Sequence, residues 1–367
     1  LRPLAVSLNS FNGFLTCADG QRLFFKTHVE QDGIIGEYYN AAMLAEVGYP
    51  IIQPICASTQ YGQQLLIYEV MESPSVFDVA RGLERQPDTA MLTRLSEAQS
   101  RADDHLFTIY TKSLHAVTAQ ENAAQPVHQL FYHRLMGGRL QRFYGDAQAF
   151  TLPNGVFDAR ELRRKHWTIN GSHYEETLDD IINRAVVLLN PVRDDVAVVG
   201  HGDAHNGNVF FTGSGLVYFD PAFAGKHHPL LDLTKPLFHN VFAMWMYFAE
   251  EEAAKLTIDV HADGERWHVR HDYPFNAVRR MFWENKTQRV LVPTLQMLRA
   301  QGTLREDWRA FLKASLFCCP FLTLNLTGFP PKISLLGLTM AVQMGSESIE
   351  QRSLIDSLLD TVEQALS

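Results

Sequence analysis

The residues of this chain best suited to chemistry are His201-Gly202-Asp203-Ala204-His205-Asn206-Gly207-Asn208, with Asp220-Pro221 beginning twelve residues after Asn208. Short apolar runs bracket this polar loop: Val196 to Val199 leads in, Val209 to Phe211 leads out, and Leu216 to Phe219 returns after a turn near Gly213 to Gly215. That succession lets Asn208 and Asp220 face one pocket. A carboxamide and a carboxylate are both hard oxygen donors, and the pair suits Mg2+, which keeps waters and substrate phosphates as its other ligands. Asp203, five residues before Asn208, is free to meet a hydroxyl. His201 and His205 have no third ligand at zinc-like spacing, so His201 reads as loop scaffolding and His205 as pocket lining. His227 and His228 read as surface or packing residues.

The elements that must position this loop fall into two groups. Leu4 to Leu8 and Phe14 to Cys17 flank a turn at Asn12-Gly13, Asp19-Gly20 marks a second hairpin, and Leu23 to Thr27 makes a third strand. Apolar positions from Tyr38 to Val47 then recur at helical spacing up to Gly48, and Gln64 to Met71 closes the unit with another strand. After Pro74 the pattern turns helical, near 89–119, 125–144, 174–190, 230–254, 276–301, 306–326 and 334–366. Two hairpins interrupt these helices, one about Asn170-Gly171 and one about Asp263-Gly264. The boundaries that follow are a first unit over 1–71 and a second over 72–367, with hairpin insertions near 150–175 and 256–270. Phe242, Trp245, Met246, Phe282, Trp283, Phe317 and Phe321 recur at helical spacing and read as core.

Length and charge narrow the class further. A chain of 367 residues has room for two domains and a large core. Its 32 basic and 41 acidic residues give a net charge of −9, which argues against a protein that works by neutralising a phosphate backbone, so nucleic acid is not an expected partner. Cys17, Cys56, Cys318 and Cys319 form no zinc or disulfide spacing and read as reduced thiols. The longest apolar run, Val241 to Ala249, is too short to span a bilayer, so no membrane is expected and the cytoplasm is the default location. Because the chain opens on Leu1, the sequence does not decide whether a leader precedes it.

The HxDxxxxN pattern of His201 to Asn208, followed by Asp220-Pro221, resembles the catalytic loop and metal-binding Asp of the aminoglycoside phosphotransferase and choline kinase group, relatives of the protein kinases. The order extends outward: Lys26 on the third strand, Glu37 opening the next helix, Tyr68-Glu69-Val70 at a hinge, then Leu114-His115 and, after the loop, Asp232. The resemblance spans roughly Leu4 to Asp232. It implies an α+β, bilobal protein-kinase-like fold, with a small antiparallel-sheet lobe for the nucleotide and a larger helical lobe for catalysis and the acceptor.

The same resemblance implies ATP, with GTP not set aside, and Mg2+ as cofactors. Lys26 would hold the α- and β-phosphates, with Glu37 pairing its ammonium, while Asn208 and Asp220 hold the metal. Asp203 would deprotonate the acceptor hydroxyl, and backbone groups of Tyr68 and Val70 would bond the adenine edge. In place of a glycine-rich phosphate loop stands Asn9-Ser10-Phe11-Asn12-Gly13, so the phosphate grip is expected from Ser10 and backbone N–H groups. The implied activity is transfer of the γ-phosphate to a hydroxyl of a small molecule, an amino sugar, amino alcohol, sugar, nucleoside or antibiotic. The hairpin insertions and the helices after Asp220 are expected to shape its site. Two other readings stand beside this one. One is a nucleotide-binding pseudokinase. The other is a metal-dependent phosphoesterase, whose Asp-x-His occurs only at Asp259 to His261, after the loop. Monomer and homodimer are both open.

Overall fold

The structure is a computed structural model that describes residues 2–3, 10–28, 33–58, 60 and 63–366; side chains are not described for 2–3, 10, 28 and 33–39. A five-stranded antiparallel sheet in the order β1-β2-β3-β5-β4 begins the chain, with β1 at Arg2–Pro3, β2 at Ser10–Thr16, β3 at Arg22–His28, β4 at Cys56–Ser58 and β5 at Leu65–Glu69. Helix α1, Gly33–Glu46, crosses between β3 and β4.

The expected Asn12-Gly13 turn is absent. Strand β2 runs straight through both residues, placing Asn12 opposite Lys26 and Gly13 opposite Phe25. A seven-residue ladder closed at the Asp19-Gly20 turn, where Gly20 has φ 85° and Cys17 N donates to Gln21 O at 2.8 Å, outweighs the local turn preference of the dipeptide. The proposed phosphate-gripping stretch is therefore strand from Ser10 onward. The connection between β1 and β2, including Asn9 and the expected strand over 4–8, lies outside the described residues.

Beyond the sheet the chain is mostly helical. Helix α2, Val76–Arg85, starts at Ser75, whose side chain accepts from Asp78 N, and α3, Thr89–Ser113, starts at Asp88, which accepts from Met91 N. The segment expected as one helix over 125–144 is broken at Phe131 and again at Gly137-Gly138, leaving Tyr132–Met136 as a short helix followed by Arg139–Tyr144. Pro320 sits inside the helix Trp308–Leu322 instead of breaking it. The stretch Trp308–Gly328 is long and apolar enough to cross a membrane by length and composition, yet 72% of its apolar window is buried inside the molecule, as a core helix must be. It packs against Pro331–Gly345, and the aromatic set from Phe242 to Phe321 is buried as expected.

The two hairpins are one structure. Strands β9 (His166–Ile169) and β10 (Ser172–Tyr174) pair with each other, as do β15 (Ile258–Asp263) and β16 (Arg266–His271), and β9 runs parallel to β16 with Trp167 opposite Trp267. Both indoles are buried, which makes this four-stranded sheet part of the core and not a surface addition.

Among the described residues two apolar cores result. One fills the helical body. A smaller one holds Leu66 and Tyr68 of the five-stranded sheet, with Phe24, Ile52, Ala57 and Phe219 around them. Phe219 comes from the polar-loop region and packs its ring 5.2 Å from Tyr68 and 5.8 Å from Phe24, so the residue before Asp220 is anchored on the sheet.

Candidate active site

Strand β11, Asp195–Gly200, delivers the loop from the middle of a three-stranded sheet, between β14 (Gly225–His227) and β6 (His115–Val117). Gly202 turns the chain at φ 79°, and a Cβ there would lie 2.3 Å from Phe223 O, so only glycine fits. Asp232, on the buried helix Pro229–His239, accepts from Gly202 N at 2.6 Å, from Tyr110 Oη at 2.5 Å, and faces His227 Nε2 at 3.2 Å. Three groups thus share one buried carboxylate; burial pushes its pKa up, but His227 and the hydrogen bonds from Tyr110 and Gly202 hold it down. His227 and His228 are packing residues, both fully or nearly fully buried, and neither is on the surface.

His201 is buried; its Nε2 donates to Phe219 O at 3.0 Å, tying the loop to the residue before Asp220. Phe219 N returns a bond to Asn208 O at 2.9 Å. Asn208 Nδ2 donates to Asp203 O at 2.9 Å, so its Oδ1 is the oxygen that could hold a cation. After β12 (Val209–Phe211) and β13 (Leu216–Tyr218), Asp220 adopts φ 57°, a left-handed conformation uncommon outside glycine. Its Oδ1 meets Lys26 Nζ at 2.5 Å, the ammonium being buried in the sheet. Asn40 of α1 donates to Pro221 O at 3.1 Å and fixes the same turn from the other side.

Asp203 is part-buried, and its Oδ1 makes no hydrogen bond; the nearest basic groups are Lys235 Nζ at 3.9 Å and His205 Nε2 at 4.0 Å. His205 Nδ1 accepts from Gly207 N at 3.1 Å, so the neutral ring carries its proton on Nε2, on the Asp203 side. Burial pulls the His205 pKa below its ordinary value, with Asp203 opposing, which favours this neutral form.

Lys235, His239 and Tyr247 extend the site away from Asp203. Lys235 Nζ donates to His239 Nε2 at 3.3 Å, and His239 Nδ1 then donates to Tyr247 Oη at 2.8 Å. Burial lowers the Lys235 pKa and drives that of His239 well below 6.5. Arg134, on the short helix Tyr132–Met136, donates to Thr323 Oγ1 at 3.2 Å while its Nε has no hydrogen-bond partner. These four residues escaped the sequence reading. The one available signal was Lys235 and His239 at i, i+4 on the helix after Asp220.

Of the other expected residues, Tyr68 is the buried penultimate residue of β5 and Val70 lies just past the strand, half-buried. Glu37 falls in α1 and Ser10 at the start of β2, but their side chains lie outside the described residues. Among the described residues no hydrogen bond or ion pair joins the paired hairpins to Asp203, Lys235 or Arg134; the helices supply those neighbours. Cavities of about 260, 270 and 230 Å3 lie among the described residues away from this loop, the first lined by Arg81, Phe248 and Glu251.

No family model and no curated protein matches this chain. Solved structures similar to it include an amicoumacin kinase in complex with AMP-PNP, Ca2+ and Ami, at 13% identity over 100% of this chain and 87% of that one, TM-score 0.47. A thermostable mutant of an aminoglycoside phosphotransferase with ADP and hygromycin B is 9% identical over 99% of this chain and 93% of that one, TM-score 0.47. A choline kinase from Cryptosporidium parvum Iowa II is 9% identical over 98% of this chain and 90% of that one, TM-score 0.47. Two of these three, the aminoglycoside phosphotransferase and the choline kinase, carry the names of the group that the HxDxxxxN loop resembles.

Proposed function

We propose that this chain is an ATP- and Mg2+-dependent phosphotransferase acting on a hydroxyl of a small molecule. The observation that carries the reading is the meeting of Lys26 with Asp220 at 2.5 Å across 194 residues of sequence, beside the Asn208–Asp203 bond. A buried ammonium paired with a carboxylate, with a carboxamide on the same loop as Asp203, suits an anionic nucleotide with a divalent cation. When bound, Mg2+ would neutralise charge on the phosphate oxygens from Asn208 and Asp220.

The chain's own residues do the rest. Lys26 binds nucleotide phosphate, Glu37 pairs with Lys26, and the backbone at Tyr68 and Val70 bonds the adenine edge, with backbone N–H groups near Ser10 covering the phosphates. Asp203 accepts the hydroxyl proton as the acceptor oxygen forms its bond to the γ-phosphorus and ADP leaves with the electrons of the broken bond. His201 positions the loop, and neutral His205 keeps a proton donor, not a second base, beside Asp203. The division follows: residues 1–71 form the nucleotide lobe and 72–367 the catalytic and acceptor lobe of a kinase-like bilobal fold.

The test is calorimetric titration with Mg-AMP-PNP. The wild type should bind, and Asp220→Asn, which replaces a charged metal ligand by a neutral one, should lose affinity by about tenfold or more. Equal affinity in both proteins contradicts the assignment.

A further inference from the structure

The surroundings of Asp203 are positively charged in a chain whose net charge is −9. Lys235 is buried, Arg134 and Arg139 are half-buried, and all three come from the helical body, whereas the cation assigned to the nucleotide, Lys26, comes from the sheet. Among the described residues Asp203 is the one carboxylate within 4.0 Å of the Lys235 ammonium, and none lies so near Arg134 or Arg139. Arg139 spends its guanidinium on the carbonyls of Leu322 and Thr323, close to where Arg134 bonds Thr323. Lys235 and Arg134 feel the charge of Asp203 and of each other, so one negative charge faces two positive ones. The remaining ionisable neighbours are His205 and His239, which burial keeps neutral, Tyr247, and the thiols of Cys318 and Cys319, whose pKa values burial raises.

Desolvating cations without counter-charge is costly, and the cost is recovered when an anion occupies the site. Lys235 spends one of its three donors on His239, and Arg134 Nε is unpartnered in a buried position, so each side chain keeps a donor for an oxyanion. We propose that the acceptor carries an oxyanion, a carboxylate or a phosphate ester, near the hydroxyl that Asp203 activates, and that Arg134 and Lys235 bind it. This rests on the kinase reading and makes it specific: a cationic amino sugar or amino alcohol is repelled here, and a hydroxy acid or sugar phosphate is attracted.

The experiment measures acceptor-dependent ADP release with Mg-ATP, and calorimetric binding to protein loaded with Mg-AMP-PNP. The panel is glycerate and gluconate (carboxylates), glycerol 3-phosphate and glucose 6-phosphate (phosphates), glucose (neutral), and glucosamine and choline (cations). Anionic members should be preferred by tenfold or more in kcat/KM or affinity, the better arm identifying carboxylate or phosphate. Arg134→Gln should raise the KM for the preferred anion at least tenfold with kcat changed less than threefold, and Arg134→Lys should recover part of the affinity. If Arg134→Gln does not fold, the wild-type panel decides alone. Preference for glucosamine or choline, binding of no anionic member, or a variant that alters kcat and the KM for ATP while sparing the acceptor, each overturns the inference and leaves the kinase reading standing. Failure of Mg-AMP-PNP itself to bind overturns the kinase reading, and this inference with it.

Discussion

Lys26 and Asp220 are 194 residues apart and meet at 2.5 Å, while Lys235 and His239 are one helical turn apart and meet at 3.3 Å. In the proposed reading the first pair belongs to the nucleotide side of Asp203 and the second to the acceptor side. On the nucleotide side each group stands at a strand or at the end of one, and backbone ladders set its direction: Asn12 opposite Lys26, Tyr218 opposite Val209, Phe219 N on Asn208 O. On the acceptor side the groups project from the helices Pro229–His239, Tyr132–Met136 and Trp308–Leu322, and packing of helices sets their distances. Nucleotide chemistry is the same for every member of such a design, so it tolerates a rigid, repeated arrangement. Acceptor chemistry is what must vary, and helix surfaces vary residue by residue without disturbing a ladder.

Asp232 joins the two sides, and its replacement is the sharpest way to break the comparison. It holds Gly202 N of the loop, and Lys235 lies one turn further along the same helix. Asp232→Asn presents an amide N–H to Tyr110 Oη or Gly202 N, both donors, and should cost about 1–3 kcal/mol of stability. Chemical denaturation should show it, and turnover should fall with any acceptor because both the loop and Lys235 move. A variant as stable as wild type would mean that the loop is held by the strands alone.

A smaller effect separates the two sides by pH. Burial pulls His128 and His228 down from 6.5 to about 4, and both belong to the helical body. With the folded pKa below the unfolded one, their contribution is fully present above about pH 6.5 and is lost as pH falls toward 4, because the unfolded chain takes up protons first. The melting temperature should therefore drop across that window, and His228→Gln should make the drop shallower. An unchanged pH profile in the variant would place the acid sensitivity outside this histidine.

How much of this was legible in the sequence follows the same division. The strands around His201 to Asp220 and Lys26 on β3 can be read directly, because polar groups at fixed offsets between short apolar runs leave few ways to fold. Asn12-Gly13 misleads because turn propensity is local and a ladder is not. The hairpins at Asn170-Gly171 and Asp263-Gly264 are each legible as hairpins, but their parallel union through β9 and β16 joins segments about a hundred residues apart with no local mark. Arg134 is the clearest loss. It sits in a segment that reads as one continuous amphipathic helix, and only the breaks at Phe131 and Gly137-Gly138 bring it to Thr323.

The central claim is that Asp203 receives a hydroxyl proton during phosphoryl transfer, and the most direct measurement is transfer of labelled γ-phosphate to the preferred acceptor by wild type and Asp203→Asn. The amide cannot accept the proton but preserves the shape of the loop, whose Asn208 Nδ2 bond goes to the backbone carbonyl of residue 203 and not to its side chain. Transfer should fall by about a thousandfold or more, with Mg-AMP-PNP affinity within about threefold of wild type. Undiminished labelling of the acceptor by Asp203→Asn would contradict the account.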